Sequence, residues 1–317
     1  MTRARVFAVL GITLLIMSRA TSAFAWNDHG HMMVAAVAYR QLAPGVRARV
    51  DALLKLNPFY QRWLDQLPPA LPAFERPAAL FMIAATWADQ IKGAPEYSDD
   101  GTAGGNRPAG PVASLNKGYD DLLRHKYWHF VDIPFATDRS PLPPVPVPNI
   151  IERIAVFRAA IASGASDDLK SYDLCWLMHL VGDIHQPLHV ITRVSKAQPN
   201  GDDGGNLVGL CAAPCRDTLH GFWDGILGSD RSPTAVMQDA SALPTADVSR
   251  ARDLDPAHWA AEGFALAKTA VYVAPIGEGP GPFVITPMYE QNARNLAKTQ
   301  IALAGARLAA LLNTSLK

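Results

Sequence analysis

The longest apolar helical run in the middle of the chain, Asp168–Ile191, carries ionisable side chains where a core helix normally carries hydrocarbon. His179 and Asp183 are four residues apart, so an α-helix places them about 40° apart around its axis, on one side. Removing such groups from water is unfavourable unless something pairs with them. Any fold of this chain must therefore supply a partner for buried imidazole and carboxylate groups.

Helical periodicity dominates the rest of the chain as well, and loops rich in Gly, Asp and Pro separate the periodic segments. We see neither an internal repeat nor a series of alternating strands. The pattern predicts an all-α, multi-helix fold with long loops, formed by one domain over residues 26–317. The other predicted helices are His31–Leu42, Val46–Leu56, Phe74–Ile91, Ile150–Ile161, Asp255–Val273 and Thr286–Lys317.

The first 25 residues have the features of a secretory signal. Arg3 and Arg5 precede an apolar run, and Ala23-Phe24-Ala25 is an A-x-A cleavage site. Cleavage after Ala25 would make Trp26 the first residue, with a free α-amine. We therefore expect a secreted or periplasmic protein, and no other apolar run reaches the roughly 20 residues of a membrane span.

Charge and cysteine content narrow the function further. Lys plus Arg and Asp plus Glu number 29 each, so the net charge does not indicate a long electrostatic groove for nucleic acid. An oxidising compartment favours a local disulfide between Cys211 and Cys215, although the sequence does not establish it. Cys175 lies in an apolar stretch and is expected to be a buried free thiol.

Histidine and aspartate recur at ligand spacing along the helices. The pair His179-x3-Asp183 is repeated as His220-x3-Asp224, and Pro187 can bend the helix so that His189 faces a neighbouring metal. Each motif alone is compatible with an ion pair or a core histidine. Together they favour zinc, for which imidazole and carboxylate are the ligands expected at a hydrolytic site. The remaining candidates lie in Trp87-Ala88-Asp89, Trp128-His129-Phe130, and the stretch from Trp26 to His31.

These motifs resemble the zinc-dependent type I single-strand nucleases (nuclease S-one/P-one type), which are similar in fold to bacterial zinc phospholipase C. The resemblance extends from Trp26 nearly to the C-terminus. Its most specific residues are Gly182-Asp183, Gln186-Pro187-Leu188-His189, Gly204-Gly205-Asn206 and His220…Trp223-Asp224.

The resemblance implies three zinc ions. The first would be held by Asp89, His129, His179 and Asp183. The second would be held by the Trp26 amine and carbonyl and by His31, with Asp183 bridging the two. The third would be held by His189, His220 and Asp224. Motif spacing selects His31 over His29, and no ligand role is assigned to His29, His125, His185 and His258.

The resemblance also assigns roles outside the ligand set. Asp89 would orient or deprotonate the attacking water, and Lys92 would steady developing negative charge, unless it is a solvated lysine at a helix end. Phe130 would stack on a base, unless it only packs in the core. Asp132 would hydrogen-bond the base edge, and Asn206 would close that pocket.

The implied activity is hydrolysis of single-stranded DNA and RNA to 5′-phosphorylated products, together with 3′-nucleotidase activity, by a monomer. Two alternatives remain at this point. One is a zinc phospholipase C that acts on a lipid headgroup, and the other is a secreted protein whose metals only stabilise the fold. Asp132, Gly204-Gly205-Asn206 and an aspartate at position 224 favour the nuclease. The preference for DNA or RNA, the base preference and the activity on duplexes stay open.

Overall fold

Helices form nearly all of the regular structure in the computed structural model, which describes residues 26–100, 113–211 and 217–316. Twelve α-helices lie within these residues, with a single two-stranded sheet, so the predicted helical fold is confirmed. The helices are α1 (Asp28–Gln41), α2 (Pro44–Leu54), α3 (Tyr60–Asp65), α4 (Arg76–Ala84), α5 (Trp87–Gly93), α6 (Ile150–Ala162), α7 (Asp167–Asp183), α8 (Leu219–Gly225), α9 (Pro233–Ser241), α10 (Val248–Ala251), α11 (Pro256–Leu266) and α12 (Pro287–Ser315).

The first and last helices pack against each other along the core, and α1 also contacts α4 and α9. A glycine permits the close approach of α1 and α12, because a Cβ at Gly305 would lie 2.5 Å from the Val37 Cβ. A side chain there would have to separate the two helices. Since α1 begins three residues before His31, this packing sets where the N-terminal metal-ligand candidate lies.

Helix α7 contributes a long buried segment to the core. Every residue from Ser171 to Asp183 is buried, and α6 packs along it. Ser166 caps the start by accepting a hydrogen bond from the Leu169 amide. The helix ends at Asp183 rather than at Ile191, and Pro187–Val190 forms a separate 3₁₀ turn. Pro187 thus redirects the chain, which separates His189 from the helix that carries His179.

The predicted helix Phe74–Ile91 is two helices, α4 and α5, divided at Ala85 and Thr86. The Thr86 hydroxyl donates to the Ile83 carbonyl at 2.8 Å, and the Ala85 carbonyl accepts from the Nδ1 of His179 at 2.8 Å. The break therefore releases a backbone acceptor towards the site. Helices α3 and α8–α10 were not predicted.

Two short strands, β1 (Pro134–Ala136) and β2 (Thr192–Val194), pair in parallel, with Pro134 opposite Thr192 and Ala136 opposite Val194. The sequence did not predict them, because each has only three residues. Just before the strands, the Val131 amide donates to the His189 carbonyl at 2.9 Å. The pairing therefore aligns the segment that carries His129 with the segment that carries His189.

No helix in the three described ranges has the length and apolarity needed to cross a membrane. Cys175 is a buried free cysteine, as expected. Cys215 and the signal segment lie outside the described residues, so the Cys211–Cys215 bond and the processing after Ala25 stay predictions.

Candidate metal centre

Eight of the predicted metal-ligand side chains converge in the structure, and all are buried. They form three groups in which one potential ligand atom per residue lies within 4.8 Å of the others. His179 belongs to two groups, so these two are contiguous. The groups are His31, His179 and Asp183; Asp89, His129 and His179; and His189, His220 and Asp224.

His189 and His220 present facing nitrogen lone pairs. The Nδ1–H of His189 donates to the His129 carbonyl at 3.0 Å, and the Nδ1–H of His220 donates to the Gly204 carbonyl at 2.8 Å. A neutral imidazole has one N–H, so both Nε2 atoms are acceptors, yet they lie 3.1 Å apart. Two acceptors at this distance repel each other unless a cation lies between them. Asp224 Oδ2 is 3.4 Å from His220 Nε2, which completes a donor set suited to zinc.

His179 is oriented in the same way at the neighbouring groups. Its Nδ1–H donates to the Ala85 carbonyl, so its Nε2 lone pair faces the Nδ1 of His129 at 3.1 Å. The same Nε2 lies 3.3 Å from Asp183 Oδ2 and 3.6 Å from Asp89 Oδ1. Backbone acceptors that hold one ring nitrogen while the other faces a metal are typical of zinc-bound histidine.

Asp183 lies between the first two groups. Its Oδ1 is 3.1 Å from His31 Nε2, and its Oδ2 is 3.0 Å from His129 Nδ1. The His31 and His179 rings stack with their centroids 3.8 Å apart. Asp89 Oδ2 and His31 Nδ1 are buried without a hydrogen-bond partner among the described residues. The Asp183 carboxylate directs one oxygen towards each group, and unsatisfied polar atoms surround it. This arrangement is typical of a carboxylate that bridges two cations.

The three buried carboxylates differ in the net shift of their pKa. It raises the pKa of Asp183 to about 7, and it holds the pKa of Asp224 well above its ordinary value. Burial would also raise the pKa of Asp89, but Lys92, His179 and His31 outweigh it and lower that pKa to about 2. Asp183 and Asp224 therefore need positive charge to ionise fully at neutral pH, which bound cations would supply.

Lys92 forms a close ion pair with Asp89, with Nζ 2.6 Å from Oδ1. Its side chain is only 6 % exposed, which differs from the solvated lysine that the end of a helix commonly carries. Because both residues lie on α5, three positions apart, the cation points into the cluster with the carboxylate.

The loop before α8 is shaped to hold His220. Gly204 has a positive φ of 56°, and a Cβ there would lie 2.5 Å from the Leu188 carbonyl oxygen. Buried Asp202 accepts hydrogen bonds from the Arg193 amide at 2.9 Å and from the Tyr272 hydroxyl at 2.9 Å. These bonds fix the backbone whose Gly204 carbonyl orients His220.

Comparison with known protein families identifies the family of this chain. Residues 26–317 match the family model described as S1/P1 Nuclease. The chain belongs to the S1/P1 nuclease family. Comparison with curated proteins finds no match. Family membership confirms the resemblance seen in the motifs. Because this is a family of zinc nucleases, the three buried clusters are candidate metal sites.

The predicted base-binding residues flank the third cluster of the S1/P1 centre. Phe130 and Asp132 adjoin Val131, whose amide bonds to the His189 carbonyl, and all three precede β1. Asn206 follows Gly205, whose carbonyl accepts from the His220 amide at 3.4 Å. Phe130 and Asn206 are partly exposed, so both are accessible from solvent. Their roles towards a base stay predictions.

Trp26 is fully buried and packs against Gly30. The amide of the next residue, Asn27, donates to the Asp224 carbonyl at 3.1 Å. The start of the family domain therefore lies beside the third cluster as well as near His31. Coordination by a terminal amine at Trp26 stays a prediction.

Sequence reasoning missed the residues that position the ligands. Gln186 donates from Nε2 to Asp224 Oδ1 at 2.6 Å, and it accepts from the Leu188 amide. His185 was not missed, since the sequence already favours a structural or supporting role for it over a ligand role. It is buried and accepts from Arg307 Nη1 at 2.9 Å, so it ties the ligand-bearing turn to α12. His125 lies between two carboxylates, 2.6 Å from Asp100 and 3.0 Å from Asp121. In the sequence, the only indication of a role for Gln186 and His125 is that they lie beside or between the ligand motifs.

Proposed function

We propose that the protein is an exported, trinuclear zinc phosphodiesterase. It hydrolyses single-stranded DNA and RNA to 5′-phosphorylated products and also removes the 3′ phosphate of nucleotides. The single observation that carries this proposal is the set of converging lone pairs, above all those of His189 and His220, 3.1 Å apart. Membership of the S1/P1 nuclease family supplies the reaction class.

Zinc bound in such clusters supplies Lewis-acid stabilisation of a phosphoryl oxygen and a water that ionises near neutral pH. The side chains have separate tasks around it. Asp89 stays ionised and accepts a hydrogen bond or a proton from the attacking water. Lys92, held against Asp89, supplies positive charge where negative charge develops on the phosphate.

The partly exposed Phe130 supports the proposed preference for single strands. Stacking of a base on an aromatic ring requires a base that is not already stacked in a duplex, and it is worth about 1–3 kcal/mol per base. Asp132 and Asn206 flank the same cluster and offer hydrogen-bonding groups to the base edge. A near-neutral chain agrees with a short footprint on the strand.

The test is cleavage of a single-stranded oligonucleotide by the processed protein, before and after chelation, with analysis of the end groups. We expect chelator-sensitive cleavage that leaves 5′ phosphates and is restored by added zinc. Phosphatidylcholine is assayed in parallel. Headgroup release without cleavage of the oligonucleotide would assign a phospholipase C, and zinc-loaded protein inactive on both would contradict any enzymatic role.

A second test addresses the terminal amine. Protein that begins at Trp26 is compared with protein that carries one additional N-terminal residue. An amide nitrogen cannot replace an amine as a zinc ligand, so we expect the extended form to hold about two zinc ions and to lose most activity. Full zinc content with normal turnover in the extended form would remove Trp26 from the ligand set.

A further inference from the structure

An exposed arginine on the loop that follows α8 pairs with α1, the helix that carries His31. Arg231 Nε is 2.9 Å from Asp28 Oδ2, and the arginine side chain is 76 % exposed while the aspartate side chain is 18 % exposed. An ion pair this exposed contributes little to stability. The guanidinium nevertheless keeps N–H donors directed towards solvent, in the fork that matches phosphate oxygens.

The loop that carries Arg231 is fixed by the residues on either side of Asp28. The Asn27 side chain donates from Nδ2 to the Gly228 carbonyl at 2.6 Å. The buried His29 donates from Nδ1 to the Asp230 carbonyl at 2.6 Å. Three consecutive residues, Asn27 to His29, thus hold one loop, so the guanidinium starts from an ordered backbone.

This pair lies next to the metal-ligand candidates. Asp28 and His31 are three residues apart on α1, which places their Cβ atoms about 5–6 Å apart on one face. Asn27, the residue before Asp28, contacts the third cluster, because its amide donates to the Asp224 carbonyl. Burial raises the pKa of Asp28, Arg231 opposes this, and the Asp89 carboxylate adds to it, as expected if Asp28 lies near the predicted ligands.

We propose that Arg231, oriented by Asp28, binds a second phosphate of the strand, next to the phosphate that is cleaved. The inference rests on the proposed nuclease function and specifies its preferred substrate class as chains that carry at least two phosphates. In a chain with equal numbers of acidic and basic residues, one exposed guanidinium paired with the helix that carries His31 is a substantial part of the local attraction.

The experiment compares the holoenzyme with Arg231→Ala on two substrates. One is a single-stranded oligonucleotide, and the other is a dinucleoside monophosphate, which has only the scissile phosphate. We expect the KM for the oligonucleotide to rise about tenfold with kcat unchanged. Neither constant should change for the dinucleoside monophosphate. The slope of log(kcat/KM) against log salt for the oligonucleotide should become less steep by about 0.7.

Three further variants complete the design. Arg231→Lys should restore part of the oligonucleotide KM, because it keeps the charge without the fork. Asp28→Asn should raise that KM about threefold through loss of orientation, whereas a fall would contradict the role of Asp28. Arg49→Ala, the matched control, breaks an exposed pair with Asp167, which lies roughly 24 Å along α7 from Asp183.

The possible failures are distinguishable. Wild-type protein that cleaves neither substrate overturns the proposed function, and this inference with it. Active wild type with an unchanged Arg231→Ala variant overturns the inference alone. Equal losses on both substrates would show a structural role for Arg231 and would also overturn it.

Discussion

At the scale of single residues, the site depends on which nitrogen of each imidazole carries its proton. Carbonyls of Ala85, His129 and Gly204 each accept an Nδ1–H, from His179, His189 and His220 respectively. Each ring is therefore already in the tautomer that presents its Nε2 lone pair to a cation. Residues that hold the carbonyls and carboxylates in place should matter almost as much as the ligands.

Gln186→Ala tests this dependence at the third cluster. Loss of the 2.6 Å hydrogen bond to Asp224 should weaken binding of one zinc ion about 10- to 100-fold. Zinc stoichiometry against chelator concentration measures the effect. Gln61→Ala removes an exposed amide that donates to Asp65 on α3, a helix without predicted ligands, and it should leave zinc binding intact. Equal retention of zinc in both variants would argue against the positioning role.

Gly204→Ala tests the backbone that orients His220. A Cβ would clash with the Leu188 carbonyl, and the positive φ disfavours any side chain, so we expect a loss of about 1–3 kcal/mol of unfolding free energy. Gly164→Ala is the control, because a Cβ there meets nothing within 4 Å. Denaturant unfolding of both variants measures the difference, and equal midpoints would contradict the strained turn.

At the scale of elements, the sequence predicted the longer helical segments, but neither the short helices α3 and α8–α10 nor where the helices end at the site. The continuous apolar run Phe74–Ile91 predicts one helix. The structure has a break at Ala85, whose carbonyl accepts a hydrogen bond from His179. Every residue has a backbone carbonyl, so the type of residue does not reveal which carbonyl accepts a hydrogen bond from a ligand. Strands β1 and β2 escaped prediction because their pairing joins positions far apart in the chain.

The sequence predicted the metal-ligand candidates more accurately than it predicted the boundaries of the helices. The eight predicted ligand side chains converge. Spacing alone explains the pairs His179–Asp183 and His220–Asp224, because residues four apart share one helix face. The family resemblance supplied the ligand roles of His31, Asp89 and His129. The clamp at His125 was not foreseen, because its partners Asp100 and Asp121 come from a loop with no periodicity. His125 also adopts a left-handed φ of 43°, which sequence does not indicate for histidine.

The His125 clamp gives the segment before His129 a pH-dependent stability. Burial would lower the pKa of His125, but Asp100 and Asp121 outweigh it and raise that pKa. The stabilisation is therefore complete below the ordinary pKa of 6.5 and is lost as pH rises through the higher folded value. The pKa of Asp100 is lowered despite burial, so its part is present above 3.8 and is lost in acid.

His125→Gln should therefore destabilise the protein most between about pH 4 and 6.5, by about 3 kcal/mol, and less at alkaline pH. Thermal unfolding across pH 4–9, for the variant and for wild type, measures this. His258→Gln, at an exposed histidine beside Asp253, should give no measurable change at any pH. A pH-independent penalty at His125 would show packing rather than charge as its role.

At the scale of the whole molecule, the metal centre joins parts of the chain that are far apart in sequence. Its predicted ligands lie on α1, α5, α7 and α8 and on two turns, while Arg307 on α12 bonds to both His185 and Glu262. Because the buried carboxylates and lone pairs repel one another without cations, metal binding and folding should be coupled.

Chelation should therefore lower stability as well as activity. Each site saturated about a thousandfold contributes about 4 kcal/mol, so removal of three ions should lower the Tm by more than about 10 °C. Differential scanning calorimetry with and without chelator measures the shift, and zinc added back serves as the control. An unchanged Tm after verified metal removal would mean that the clusters do not hold structural cations.

The short parallel ladder between β1 and β2 has a consequence for substrate choice. It clamps the turn that bears His129 to the turn that bears His189, so hydrogen bonds between backbone atoms set the separation of these two predicted ligands. If the proposed nuclease function holds, a substrate must fit a ligand spacing that the backbone has already set.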